Sequence, residues 1–258
     1  MDRTRDLAIA GLFTLIGALL NPSANYIIST FSAPDAEDWI NKGCDFSSIG
    51  QYDDAIKCLD EATKLAPKSE KAWINKGDAL ASLGRYNESL LALDTALKIN
   101  PQSALAWSSR GNNLNNQGDY DEAIIASCKA IEIDPKLSDG WSNKGAALCY
   151  QNKNDEALDA FNKAIQIDSQ SAELWYDKGV VLFKLDKHDE AIEAFSKAVE
   201  IDPLFKEAWY GKGGSLFRQG KYNEAIKAVD EALVLDPKFG DARYGKKIAI
   251  KAKGPEQE

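Results

Sequence analysis

The groups in this chain that could make or break covalent bonds are one histidine, four cysteines and forty carboxylates, and their spacing assembles no catalytic set. His188 has no second imidazole with which to share a metal. Cys44, Cys58, Cys128 and Cys149 form no C-x-x-C pair and have no neighbouring histidines, so zinc and redox chemistry lack their spacing. They read as small core residues. Without a G-x-S-x-G elbow, a P-loop or a phosphate-cradling glycine cluster, neither nucleophilic nor acid-base catalysis has candidate residues, and the chain reads as a non-enzyme that needs no cofactor. Hydrogen-bonding chemistry remains. Asn41, Asn75, Ser109 and Asn143 follow one another at 34-residue intervals, with Asn112 close by. Each asparagine carries a donor and an acceptor on a short side chain, so such a row can bind the backbone of an extended peptide without demanding a particular sequence. Tyr176 and Tyr210 offer aromatic contacts further along.

The same interval governs the scaffold. Trp39, Trp73, Trp107, Trp141, Trp175 and Trp209 recur every 34 residues, so most of the chain is one unit copied six times. A unit this short cannot bury its own apolar face and must stack on its neighbours. Gly43, Gly77, Gly111, Gly145, Gly179 and Gly213 follow the tryptophans. Further on come Ala55, Ser89, Ala123, Ala157, Ala191 and Ala225, and a third small column of Ala62, Ala96, Ala130, Ala164, Ala198 and Ala232. Matched small residues let two helices approach closely. Gly50, Gly84, Gly118 and Gly220, with Asn152 and Asp186, close a first helix. Asp53, Asn87, Asp121, Asp155, Asp189 and Asn223 are expected to cap a second, which ends near Pro67, Pro101, Pro135, Pro203 and Pro237, with Ser169 as the exception. His188 stands where other copies have Tyr52, Tyr86, Tyr120, Asn154 and Tyr222, which makes it a packing residue.

This combination resembles the tetratricopeptide repeat (TPR) family over residues 36–239, with units at 36–69, 70–103, 104–137, 138–171, 172–205 and 206–239. The resemblance implies an all-α, right-handed superhelical solenoid of antiparallel helix pairs, closed by a capping helix and tail at 240–258. It also implies a concave groove lined by the first helices, at the positions two and five residues past each tryptophan. The first of these columns is similar to the asparagine ladder in the TPR region of O-linked N-acetylglucosamine transferase, with Asn41, Asn75 and Asn143 matching and Ser109, Asp177 and Gly211 departing. The carboxylate clamp of chaperone-binding members is not matched. Where the family usually has leucine three residues past the tryptophan, this chain has Lys42, Lys76, Arg110, Lys144, Lys178 and Lys212, whose stems can cover apolar surface while the charge reaches water.

A net charge of -9 and lysines interleaved with acids argue against nucleic acid as a partner. Residues 1–35 lie outside the repeat and carry an apolar run, Leu7 to Leu20, that extends discontinuously to Phe31. Arg3 and Arg5 precede it and acids follow, so it reads as a hydrophobic anchor or signal segment that places the repeats outside the cytoplasm, with a packed helix in a cytoplasmic protein as the alternative. The expected function is a scaffold, membrane-tethered through residues 7–31, that binds an unidentified protein or peptide in its groove through Asn41, Asn75, Ser109, Asn112, Asn143, Tyr176 and Tyr210. The alternatives are homo-oligomeric self-association and a non-catalytic accessory subunit.

Overall fold

In a computed structural model the chain is described over residues 34–254, which contain thirteen α-helices and fall into two compact units divided after Pro67. The first unit holds α1 (Ala36–Ser48) and α2 (Tyr52–Leu65), packed on each other. The second holds α3 (Glu70–Ser82), α4 (Tyr86–Ile99), α5 (Ala104–Gln117), α6 (Tyr120–Ile133), α7 (Ser138–Tyr150), α8 (Asn154–Ile167), α9 (Ala172–Lys184), α10 (His188–Ile201), α11 (Lys206–Arg218), α12 (Tyr222–Leu235) and α13 (Gly240–Lys253). Within it each odd-numbered helix packs on the even helix that follows, each even helix on the next odd one, and successive odd helices on each other.

Local signals set the ends of these helices. Asn152 and Asp186 take φ of 61° and 58° at the turns after α7 and α9, the left-handed conformation that glycine supplies at the corresponding turns elsewhere. Side-chain caps begin odd helices: Ser69, Ser103 and Ser171 accept from the backbone N–H three residues on, and Asp35 forms a reciprocal capping box with Asp38. The even helices correct the expectation. They start one residue before Asp53, Asn87, Asp121, Asp155, Asp189 and Asn223, so these side chains lie inside the first turn and are not N-caps. Asn87, Asp121 and Asp189 instead accept a hydrogen bond from Gln117, Gln151 and Gln219 of the next repeat, while acids at this position still complement the helix dipole.

The glycine column marks where the paired helices come closest. A Cβ on Gly43, Gly77, Gly111, Gly145, Gly179 or Gly213 would stand 2.6–3.0 Å from a side chain sixteen residues later, respectively Leu59, Leu93, Ser127, Phe161, Phe195 and Val229. Both other small columns are fully or almost fully buried; Ala96 packs with Ala106 and Ala232 with Ala242 of the following helices. Burial of the large members, such as Phe161, Phe195, Leu59 and Leu93, contributes roughly 1.5–3 kcal/mol each.

On another flank each tryptophan is held at both ends. Trp107, Trp141, Trp175 and Trp209 donate their indole N–H to the carbonyl six residues back, on Pro101, Pro135, Ser169 and Pro203, at 3.0–3.1 Å. The acceptor is backbone, which is why Ser169 can replace proline. The cation three residues past each tryptophan lies over that ring, 5.2–6.0 Å from its centroid. The replacement of leucine therefore trades apolar contact for cation–π attraction and a covering aliphatic stem.

On α13, Ile250 occupies the slot of the buried Leu80, Leu114, Leu148, Leu182 and Leu216 yet is 51% exposed, with no even helix after α13 among the described residues. Lys247 stands in the glycine slot, where a side chain blocks the close approach a further helix would need.

Two expectations are corrected. Cys58 is buried and Cys149 half-buried, but Cys44 and Cys128 are exposed; Cys44 sits five residues past its tryptophan, and Cys128 sits where neighbouring copies have Asp94 and Asn162. The expectation of a membrane-anchored protein is not upheld, since no helix among the described residues is long and apolar enough to cross a membrane. Their helices hold at most 14 residues, about 21 Å against a hydrocarbon core of roughly 30 Å. The segment at 7–31 lies outside the described residues.

The glycine contacts predict a graded response. Phe195 is wedged between Gly179 and Gly211, both of whose added Cβ would meet its ring at 2.7 Å, so Gly179→Ala should destabilise the protein by about 1–3 kcal/mol in thermal or denaturant unfolding. At Gly111 the obstacle is the Ser127 hydroxyl, which can rotate, and the gain in helix propensity of alanine offsets the crowding. Gly111→Ala should therefore stay within about 0.5 kcal/mol of the parent.

Candidate functional site

Three odd-numbered helices of the second unit, α3, α5 and α7, lie side by side and share a polar cleft of 360 Å³. Asp78 enters it from α3, Ser108, Ser109 and Asn112 from α5, and Asp139, Ser142 and Asn143 from α7. Periodicity explains why it opens here. The position after each tryptophan reads Ile40, Ile74, Ser108, Ser142, Tyr176 and Tyr210, so bulky residues give way to serine only in the third and fourth repeats. Ser127, in the column otherwise filled by Leu, Phe or Val, lightens the same region.

The amides of the cleft are partly engaged by the protein itself. Asn143 donates through Nδ2 to the carbonyl of Ser108 at 3.0 Å and to its Oγ at 3.1 Å, and Asn115 donates to the carbonyl of Asn143 at 2.8 Å. These bonds tie α5 to α7 and fix the spacing of the cleft wall. Asn112 and Asp139 are exposed, and Ser109 is half-buried beside the Asp78 carboxylate, with which it hydrogen-bonds.

Of the residues expected to act together, the structure brings Ser109, Asn112 and Asn143 into one cleft. Asn75 is half-buried on α3, and Asn41 is exposed on α1 in the first unit. The two tyrosines are packed elsewhere. Tyr176 lies between Phe195 and Phe205, with ring centroids 5.8 and 4.9 Å away, and Tyr210 meets Phe239 edge-on at 5.3 Å. Tyr210 also lines a separate apolar cavity of 240 Å³ with Gly214, Phe217, Tyr244 and Ile248. The amide row stops at Gly211 for a steric reason, because Phe195 fills the space that a side chain there would occupy. Sequence reasoning placed Asp78 in the groove column five residues past the tryptophan without singling it out, and missed Ser108, Ser142 and Asp139. The signal was the pair of serines after Trp107 and Trp141.

The electrostatics of this face are unbalanced toward acid. Burial among the surrounding helices pushes the Asp78 carboxyl up to about 6; the bond from Ser109 opposes this and the nearby Asp139 charge adds to it. Asp78 keeps contact with water at the cleft mouth, which moderates the effect. Asp177 on α9 is pushed up to about 7, by burial and then by the charge of Glu173. Nothing here pairs a nucleophile with a base, and no group of three or more His, Cys, Asp or Glu among the described residues could hold a metal. The cleft can hydrogen-bond and can attract positive charge.

A raised carboxyl pKa means that the folded state holds its proton more tightly than the unfolded chain, so stability is lost as pH rises from about 4 toward 7. Asp177→Asn removes that penalty. It should raise stability at pH 8 by about 1–3 kcal/mol and leave it nearly unchanged at pH 4, as measured by unfolding at the two pH values.

Comparison with known proteins agrees with this architecture. Tetratricopeptide repeat family models match residues 40–104, 83–138, 172–205 and 207–239, and a TPR repeat model matches 145–186. No curated protein matches the chain. Among solved structures it is similar to a chain of the APC/C hetero-tetramer Cut9–Hcn1 at 17% identity and TM-score 0.78, covering 84% of this chain but only 43% of that one. It is also similar to YrrB, described as a TPR protein with an unusual peptide-binding site, at 23% identity, TM-score 0.57, and 73% and 97% coverage. A third, MamA, is similar at 26% identity, TM-score 0.56, and 64% and 96% coverage. Since these family models together match residues 40–138 and most of 145–239, the chain belongs to the tetratricopeptide repeat family.

Proposed function

We propose that this protein is a non-catalytic scaffold that holds an extended segment of a partner protein in the cleft of α3, α5 and α7. TPR proteins in general serve as protein-interaction scaffolds, and the observation that carries the finer reading is the cleft itself. All seven of its lining residues are serine, asparagine or aspartate, and the bonds of Asn143 to the buried Ser108 hold the wall in place. A preformed polar wall lowers the ordering cost of binding, and short hydroxyl and amide groups match a peptide backbone better than they match an apolar helix. YrrB, described as having a peptide-binding site, lends support by analogy of fold.

Self-association is a second reading, favoured by one observation. Tyr244 and Ile250 on α13 are 68% and 51% exposed at the edge of the 240 Å³ apolar cavity that Tyr244 helps to line. Sedimentation of the chain with Tyr244→Ser and Ile250→Ser tests it. Loss of a dimer would support association through the end of the solenoid, and an unchanged monomer would remove it.

The test of the leading reading fills the cleft without disturbing the helix. Tyrosine already stands after the tryptophan in the fifth and sixth repeats, so Ser142→Tyr should fold normally. Selection of random peptides displayed on phage should enrich sequences that bind the parent chain and lose about tenfold or more in affinity for the variant. No enrichment, or equal binding by the two proteins, would contradict the proposal.

A further inference from the structure

The position two residues before each tryptophan reads Lys71, Leu105, Asp139, Glu173 and Glu207 through the second unit, and Asp241 in the matching place of α13. Asp139 lines the cleft and acts on Asp78; Glu173 acts on Asp177, Glu207 on Tyr176, and Asp241 on Tyr210. Carboxylates from α3, α7, α9, α11 and α13 thus share the face that carries the cleft.

The cations of α5, α7, α9 and α11 are engaged by partners of their own, while Lys71 of α3 stands in the column itself. Arg110, Lys144, Lys178 and Lys212 lie over their own tryptophans. Lys184 donates to the carbonyl and Sγ of Cys149, and Arg218 pairs with Asp186 at 3.0 Å. Lys206 bonds Asp236 at 2.6 Å and stands 3.9 Å from Glu207. These are all the lysines and arginines of α5, α7, α9 and α11. The tryptophan column accounts for four of these seven cations, one per repeat. On these four helices Lys206 is the one cation beside an acid of the row, Glu207, so Asp139, Glu173 and the half-buried Asp177 have most to gain from an external cation.

Resting on the peptide reading above, we propose that the segment held in this groove is basic. Its lysine or arginine side chains would seat against Asp78 with Asp139, and against Asp177 with Glu173, while the serines and asparagines bind its backbone. Burial raises both the Asp78 and the Asp177 carboxyls, with the charges of Asp139 and Glu173 adding to it, and a cation seated beside them would favour their ionised forms.

The experiment uses the full chain and three fluorescein-labelled peptides of about twelve residues, alternating Lys-Ala, Gln-Ala and Glu-Ala, followed by anisotropy at about 50 and 300 mM salt. The Lys-Ala peptide should bind about tenfold or more tighter than Gln-Ala at low salt and lose that advantage at high salt, with Glu-Ala weakest. Asp78→Asn, Asp139→Asn and Asp177→Asn combined should abolish the preference for Lys-Ala and leave Gln-Ala binding unchanged. The matched neutralisation of exposed even-helix acids, Asp159→Asn, Glu193→Gln and Glu231→Gln, should not. Equal binding of Lys-Ala and Gln-Ala, both lost in Ser142→Tyr, would overturn the basic preference while the groove reading stands. Lys-Ala binding that falls equally with the even-helix control would reduce the effect to general surface charge and overturn both. Failure of all three peptides to bind would overturn both as well.

Discussion

The close approach of two helices at a glycine is the constraint on which the rest of this structure depends. In all six repeats the space a Cβ would need is filled by a side chain sixteen residues later, and the partner residue varies from Ser127 to Phe195 while the glycine does not. Fixing that crossing fixes which face of each odd helix is consumed. The tryptophan, tied to a backbone carbonyl and covered by its own cation, takes a second flank. The residues that differ from repeat to repeat on this helix include those two before and one, two and five after the tryptophan.

Variation in those positions makes six similar units unequal. Serine after the tryptophan in the third and fourth repeats opens a polar cleft, and tyrosine in the fifth and sixth closes the same place by packing on Phe195, Phe205 and Phe239. Phe195 has a double effect, since it fills the glycine crossing of its own repeat and displaces any side chain at position 211 in the next. The acid column is related: with Arg110, Lys144 and Lys178 each over a tryptophan, Asp139 and Glu173 stand on the groove side without these cations beside them. Packing and electrostatics are in this sense one design, in which the element that stabilises each repeat also polarises it.

The helix pairs, their left-handed turns and the packing columns were legible in the sequence because a strict period repeats each signal six times, and a register error in one copy is corrected by the others. Helix starts were less legible. Asp53 and its counterparts have the chemistry of N-caps, but the chain enters the helix earlier, and their side chains are diverted to glutamines of the next repeat, a contact between units that no single repeat announces. The site was read in part. Ser109, Asn112 and Asn143 line the candidate cleft at the spacing read from the sequence, as does Asp78 five residues past Trp73, whereas Asp139 enters from two residues before its tryptophan and joins them only once the stacking is known. Tyr176 and Tyr210 looked available because an exposed aromatic and a packed one have the same spacing. Their partners Phe205 and Phe239 stand at the helix N-cap position, which reads Asp35, Ser69, Ser103, Leu137 and Ser171 in the other repeats and so announces no aromatic contact.

The central claim is that the groove face carries negative charge held ready for a cationic partner. Carbon-detected NMR of the Asp78 and Asp177 side-chain carboxyls, titrated with pH alone and again with a saturating Lys-Ala peptide, measures it at the atoms concerned. The account predicts free-state pKa values near 6 and 7 that fall toward the ordinary aspartate range when the peptide is bound. Carboxyls that titrate normally in the free protein, or that do not respond to the peptide, would contradict it.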